Sequence, residues 1–278
     1  MHQHVNLTRR KFLKLGGLGL MAGAGYGTLV EPNRLSLERV TVRIPRLPTA
    51  LEGIRIAVLS DFHLHPFTKL PHIQDGIRVA NGLRPDMVVL LGDYVDSTVE
   101  AIHELAPALA SLNARMGLFA ILGNHDQWKG AQIVQSTLEK FGIHVLRNSG
   151  LSLSHGGSDL FLAGLESASY GFPNMNSAFN RRRQGVPTIL LIHEPDFGDT
   201  AAADGRVSLQ LSGHSHGGQV RLPLIGALEL PIWGKKYDHG LYQLGKMALY
   251  TNRGIGLVDI PVRFNCPPEV TEITLCSA

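Results

Sequence analysis

Three short, almost wholly apolar runs constrain this chain more than any other feature, because each ends in an acid, a histidine or an asparagine. They are Ile54-Arg55-Ile56-Ala57-Val58-Leu59-Ser60, Met87-Val88-Val89-Leu90-Leu91 and Leu118-Phe119-Ala120-Ile121-Leu122. A strand whose two faces are both covered reads as a continuous apolar run rather than an alternating one. Between the runs, Ile73, Ile77, Ala80 and Leu83 keep helical spacing, and residues 100–112 do the same. Strand, polar loop and helix in repetition predict an α/β fold with a parallel sheet. Sites on such sheets gather at the carboxyl ends of the strands. There the runs deliver Asp61-Phe62-His63-Leu64-His65, Gly92-Asp93-Tyr94-Val95-Asp96 and Gly123-Asn124-His125-Asp126.

The remainder extends the pattern. A helix is expected over residues 131–141. Short strands at 145–146, 151–153 and 160–164, separated by Gly-rich turns, predict a second and more antiparallel sheet. Residues 167–187 are irregular and hold Arg181, Arg182 and Arg183, a solvated charge run or a holder for a second anionic group. Thr188-Ile189-Leu190-Leu191-Ile192 is another apolar strand and leads to His193-Glu194-Pro195-Asp196. Val207-Ser208-Leu209-Gln210-Leu211 alternates like a strand and leads to Gly213-His214-Ser215-His216-Gly217-Gly218-Gln219, where a Gly-rich turn can swing two imidazoles toward one point. Short strands are expected again at 241–244, 247–250 and 270–275. Near the start, Arg39-Val40-Thr41-Val42-Arg43-Ile44 alternates as an edge strand and is stopped by Pro45 and Pro48.

The 278 residues are 44% apolar and 18% charged, enough for a sizeable core and unlike a disordered chain. Arg9, Arg10, Lys11 and Lys14 lie in a first stretch of thirty residues that contains no acid; taking those four cations from the formal net charge of +3 leaves −1. The rest of the chain therefore has no basic bias toward nucleic acid. Thr8-Arg9-Arg10-Lys11-Phe12-Leu13-Lys14 ahead of an apolar run with six glycines resembles a bacterial twin-arginine export signal. Ala22-Gly23-Ala24 is a small-residue cleavage candidate, and an uncleaved leader would act as a membrane anchor. These readings expect a periplasmic or cell-envelope protein that engages the twin-arginine export machinery. Cys266 and Cys276 read as packing residues, with one disulfide open to them in an oxidising compartment.

The strand-end residues are Asp61, His63, Asp93, Asn124, His193, His214 and His216. Seven donors exceed one metal site and fill two if a carboxylate bridges. Two such cations can share a hydroxide and clamp an in-line displacement at phosphorus.

Asp61-x-His63, Gly92-Asp93, Gly123-Asn124-His125-Asp126, His193 and Gly213-His214-x-His216 resemble, in order, the five blocks of the calcineurin-like metallophosphoesterases, from about residue 54 to the C-terminus. Within that superfamily, the 61–65 and 193–196 blocks and the tail residues Arg253-Gly254-Ile255-Gly256 and Pro261-Val262-Arg263-Phe264 look like the exported bacterial phosphodiesterases of the YkuE/YaeI type. The resemblance implies an α/β two-sheet sandwich of mixed sheets flanked by helices, occupying residues 51–278 behind a signal segment (1–30) and a linker with an edge strand (31–50). It implies two divalent metal ions, Mn, Fe, Zn or a mixture. Asp61, His63 and His216 would hold the first, Asn124, His193 and His214 the second, and Asp93 would bridge. His125 would act on the substrate. Asp96 matches the acid that orients that histidine, and reads equally as a surface carboxylate. Ser97 and Thr98 stand where the Ser/Thr protein phosphatases carry a phosphate-gripping arginine, and Asp126 where they carry a glutamate. The implied activity is phosphodiester hydrolysis. The alternatives are a UDP-2,3-diacylglucosamine-type pyrophosphate hydrolase and a non-catalytic binding module on the same fold. His65 is a further candidate for touching substrate, and Trp233 for the pocket rim.

Overall fold

A computed structural model describes residues 8–278. The first seven residues of the expected signal segment, His2 and His4 among them, lie outside the described residues. The first helix, α1 (Arg9–Gly25), is capped by Thr8, whose side chain accepts from the Lys11 amide at 3.3 Å. A wide turn then carries the chain onto the domain. Gly27 is buried and its carbonyl accepts from the Arg263 amide at 2.9 Å, while Tyr26 sets its ring edge-on to Phe264 at 6.3 Å. Among the described residues, no helix is long and apolar enough to cross a membrane.

Strands β1 (Ser36–Ile44), β2 (Arg55–Leu59), β3 (Met87–Leu90), β4 (Leu118–Ala120) and β5 (His144–Val145) enter the first sheet. Helices α2 (Leu70–Gly82), α3 (Ile102–Leu109) and α4 (Asn124–Lys140) make the crossovers from β2 to β5, and those four strands run parallel with Leu59, Leu90 and Ala120 in register. Strands β6 (Ser149–His155), β7 (Ser158–Gly164), β8 (Thr188–Leu191) and β9 (Leu209–Ser212) enter the second sheet, with α5 (Met175–Ala178) and α6 (Gly198–Asp204) between them. A small hairpin, β10 (Arg221–Leu222) and β11 (Gly226–Ala227), precedes β12 (Gly240–Leu244) and β13 (Met247–Thr251), which complete that sheet in the order β12-β13-β9-β8-β7-β6. The last strand, β14 (Glu269–Ser277), returns to the first sheet and inserts between β1 and β2, giving β1-β14-β2-β3-β4-β5.

The two sheets face each other. On β3, Met87 and Val89 pack toward the second sheet while Val88 and Leu90 pack toward α2 and α3; on β8, Ile189 and Leu191 face the first sheet and Leu190 faces α6. Both faces of these central strands are thus buried, which is why their sequences are apolar without alternation. The architecture is a two-sheet α/β sandwich with helices outside each sheet, as expected.

Two expectations need correction. The second sheet is parallel at its centre, from β7 through β8 and β9 to β13; only its outer pairs, β6–β7 and β12–β13, are antiparallel. The hairpins at its edges dominated the sequence pattern. The fourth helix begins at Asn124 rather than near residue 131. Its first turn is polar because it faces the strand ends, and Gly130, at φ 154°, kinks it before the apolar-periodic part starts.

Candidate metal centre

The parallel strands β2, β3 and β4 of one sheet and β8 and β9 of the other end at the same edge of the sandwich. The loops that follow are laid on one another. The Asp61 amide donates to the Gly92 carbonyl at 3.0 Å, those of Phe62 and His63 to the Asp93 carbonyl at 2.8 and 3.0 Å, and that of Gly213 to the His193 carbonyl at 3.0 Å. All seven strand-end residues named from the sequence therefore meet in one place.

Two groups of donors result. Asp61, His63 and His216 form one, with the two Nε2 atoms 3.0 Å apart and His216 Nε2 3.4 Å from Asp61 Oδ1. Asp93, His193 and His214 form the other, and Asn124 Oδ1 lies 2.9 Å from His214 Nδ1. The Asp93 carboxylate belongs to both sides, with Oδ2 3.1 Å from His193 Nε2 and 3.4 Å from His63 Nε2. A third combination, His63, Asp93 and His125, is also within ligand reach.

The backbone fixes which nitrogen each histidine offers. His193 Nδ1 donates to the Leu91 carbonyl at 2.6 Å, and His214 Nε2 to the Ile232 carbonyl at 2.8 Å, leaving His193 Nε2 and His214 Nδ1 turned inward. His193 Nε2 is buried and makes no well-directed hydrogen bond. An orphaned, buried imidazole nitrogen among carboxylate oxygens is what a divalent first-row cation requires, so the residues present fit such an ion.

Holding the side chains this way strains the backbone. Asp61, His63, Asp93, His214 and His216 are all left-handed, with φ of 51°, 42°, 53°, 71° and 51°. Each such residue costs on the order of 1–3 kcal/mol. The apolar strands that precede them offset it, since each fully buried Val, Leu or Ile contributes roughly 1.5–3 kcal/mol. Two glycines have a steric role. A Cβ on Gly92 would strike the Gly123 backbone, and one on Gly213 would strike the Ser60 and Asp61 side chains.

Several residues act here that the sequence reading did not place. Asp126, noted only as a departure, is buried and accepts from the amides of Asp93, Tyr94 and Gly123 at 2.8, 3.0 and 2.9 Å, so it ties the second and third loops together. Glu194 accepts from the amides of Ala168 and Ser169 at 2.8 and 3.1 Å, and Asp196 from those of Lys235 and Tyr237 at 2.9 and 3.1 Å. Arg263 is fully buried; it donates to the carbonyls of Arg253 and Gly256 at 2.9 and 2.7 Å and approaches His216 Nδ1 at 3.4 Å. The buried Cys266 thiol donates to the His216 carbonyl at 3.2 Å. Both cysteines are free, so no disulfide joins Cys266 to Cys276.

His125 lines the cavity above the centre. Its amide donates to Asp93 Oδ1 at 2.9 Å, its ring stands edge-on to His63 at 4.7 Å, and Nδ1 lies 3.4 Å from Asp96 Oδ1. Burial disfavours its charged form, but the Asp96 carboxylate beside Nδ1 and the nearby Asp93 and Asp126 charges win and raise its pKa to about 9. Asp96 is half-buried rather than a free surface acid, and it also lies 3.5 Å from His63 Nδ1. The cavity holds about 340 Å³, and Val220, Leu230, Pro231 and Val258 wall it opposite the histidines. Trp233 is not part of that lining, but its carbonyl accepts from the Asp196 amide at 2.9 Å. His65 points away and pairs with Glu104 at 2.9 Å. Arg182 and Arg183 bond to Thr188 at the start of β8 and to Asp159 at the start of β7, the opposite edge of the sheet, so this charge run does not reach the centre.

Comparison with known proteins agrees with this geometry. Residues 54–218 match the calcineurin-like phosphoesterase family. The chain is 36% identical to the uncharacterized metallophosphoesterase YkuE of Bacillus subtilis, over 98% of each chain. It is 31% identical to the phosphodiesterase YaeI of Escherichia coli, over 97% of this chain and 99% of that one. Among solved structures, a 5'-nucleotidase precursor from Thermus thermophilus shares the fold at a TM-score of 0.50 and 13% identity, over 73% of this chain and 49% of the nucleotidase. With its divalent-metal donor set joined by these matches, the chain belongs to the calcineurin-like phosphoesterase family and is a metal-dependent phosphoester hydrolase.

Proposed function

We propose that the chain is a phosphodiesterase that works with two divalent cations. The observation that carries this reading is the single Asp93 carboxylate facing both donor groups, with His63 on one side and His193 on the other. Asp61, His63 and His216 would hold one cation, Asn124, His193 and His214 the other, with Asp93 between. Mn, Fe, Zn or a mixture suits this nitrogen and oxygen set. When bound, the cations would supply Lewis-acid stabilisation of phosphoryl charge and a nucleophile at neutral pH. The protein's own part is to set ligand tautomers through the Leu91 and Ile232 carbonyls, and to hold a proton on His125 for the leaving oxygen. Asp96 keeps that imidazole charged and oriented.

The choice of a diester rests on the cavity wall. None of its lining residues is a lysine or arginine. A phosphomonoester dianion would find only the His125 imidazolium there and no lysine or arginine to grip its second charge, whereas a diester carries one charge and a second organic group that the apolar wall can cover. Protein prepared without chelator should contain close to two metal ions per chain by elemental analysis. It should hydrolyse bis(nitrophenyl) phosphate with a kcat/KM roughly tenfold or more above that for nitrophenyl phosphate, a difference of about 1.4 kcal/mol. One ion or fewer in metal-replete protein, or a preference for the monoester, would overturn the reading.

We further propose export by the twin-arginine route. Arg9 and Arg10 are exposed on the first turn of α1, and Tyr26, just past the Ala22-Gly23-Ala24 stretch, packs on Phe264 of the domain. Replacing both arginines by lysine should retain active protein in the cytoplasm of a host with that machinery, read by fractionation. Unchanged export would remove the basis for this localisation.

A further inference from the structure

Among the described residues, several large apolar side chains left exposed by the fold lie around the mouth of the metal centre, where Leu228 and Ile260 line the cavity. Leu224 is fully exposed and Ile225 largely so at the tip of the β10–β11 hairpin, Ile232 is 75% exposed on the loop after it, and Ile260 stands on the loop facing them. On the His125 side, Trp128 is 63% exposed; it stacks on the exposed Tyr170 at 6.3 Å with 11° between the planes, and its ring lies 6.2 Å from that of His125. Single exposed apolar residues are ordinary, but a cluster at one opening marks a surface that something covers. The substrate alone does not cover it, because Leu224, Ile225 and Ile232 are not among the residues lining the cavity.

We propose that this rim docks on a lipid bilayer and that the enzyme draws a lipid phosphodiester from it; the second half rests on the phosphodiesterase reading. Two observations favour a bilayer over a protein partner. First, the rim surrounds the entrance, so a protein seated there would close the centre, while a bilayer would feed it. Second, the hairpin adjoins the chain's own basic, apolar segment: Tyr26, Glu31 and Arg34 share a cleft with Pro223, next to Leu224. From there α1 extends with Arg9, Arg10, Lys11 and Lys14 exposed alongside Leu13, Leu18 and Met21, and it contains no acid. Basic and apolar groups together complement an anionic lipid surface. Trp and Tyr rings, with an apolar body and a polar edge, are the side chains that favour the bilayer interface.

The chain has only two tryptophans, Trp128 and Trp233, and both lie near this mouth, so intrinsic fluorescence reads the rim directly. Full-length, metal-loaded protein would be mixed with vesicles of phosphatidylcholine and phosphatidylglycerol carrying brominated acyl chains. The proposal expects a blue shift and quenching. It expects Leu224→Ser with Ile225→Ser to weaken vesicle binding roughly tenfold or more, with turnover of a water-soluble diester unchanged. Unquenched tryptophans would overturn it. So would a double variant that binds vesicles as well as the parent, which would leave α1 as the whole attachment. A dimer in lipid-free solution that the same substitutions dissociate would overturn it too, by assigning the face to a second copy. Failure of the phosphodiesterase reading would show separately, as a parent protein that binds vesicles yet hydrolyses no soluble diester.

Discussion

Asp93→Ala should yield a folded protein that holds at most one metal ion and has lost roughly a thousandfold or more in kcat on any phosphodiester. Its side chain is the one group that both donor sets share, so its removal takes a ligand from each. That should exceed the ~10–100-fold usual for losing a residue that only orients a ligand. The second oxygen, Oδ1, receives the His125 amide at 2.9 Å, so the same substitution also loosens the histidine backbone. Folding should survive because the 93–95 backbone is held independently by Asp126. The electrostatics add a pH signature. Burial opposes charge on His193, but the Asp93 and Asp61 carboxylates hold its pKa well above the ordinary value. A proton on His193 competes with a cation for Nε2, so metal affinity in the parent should fall as pH is lowered. In the Ala variant the largest attraction for that proton is gone and His193 should be neutral at lower pH, so the metal still bound should be less sensitive to acid. Elemental analysis and a pH series of metal retention would check both points. Two ions per chain in Asp93→Ala would rule out the bridging role.

The centre was legible because its residues sit where sequence pattern is most informative. Asp61, Asp93, Asn124 and His193 each end a buried apolar strand, and such strands are the elements whose burial leaves a one-dimensional trace. What lay beyond reach has the opposite character. The insertion of β14 between β1 and β2, and the parallel pairing of β13 with β9, join segments far apart in sequence, and nothing local encodes them. The polar first turn of α4 hid the helix start because its side chains serve the site rather than the core. Asp126 looked like a variant of a family residue, although its carboxylate is a buried anchor for three amides. Arg263 read as one residue of a tail motif, whereas it is a buried cation bracing the loops behind His216. Leu224, Ile225 and Ile232 look in sequence like any core residues; only the fold shows that nothing covers them. Arg181 to Arg183 lie just before the start of β8, whose far end leads to His193, and are therefore held at the edge opposite the centre.

His125→Ala should lower kcat by about 10²–10⁴-fold on a diester with an alkoxide leaving group, the usual range for losing a general acid. The loss should shrink for a nitrophenolate leaving group, which departs without a proton. Metal content should stay near two, because the four other histidines supply the imidazole ligands proposed above. The rival is specific: His63, Asp93 and His125 are close enough together to bind an ion themselves. If His125→Ala strips metal, or costs the same for both leaving groups, His125 is a ligand and the assigned role is wrong. The pH profile separates the two again. A general acid must be protonated, and the His125 pKa is raised to about 9 chiefly by Asp96, against burial. Activity on the poor leaving group should therefore decline on the alkaline side as pH rises through that region, or somewhat below it once cations occupy the centre. Asp96→Asn removes the charge that stabilises the imidazolium, so the alkaline limb should move to lower pH while kcat at acid pH changes little. A ligand histidine would give the reverse, with activity improving as pH rises and protons leave the ring.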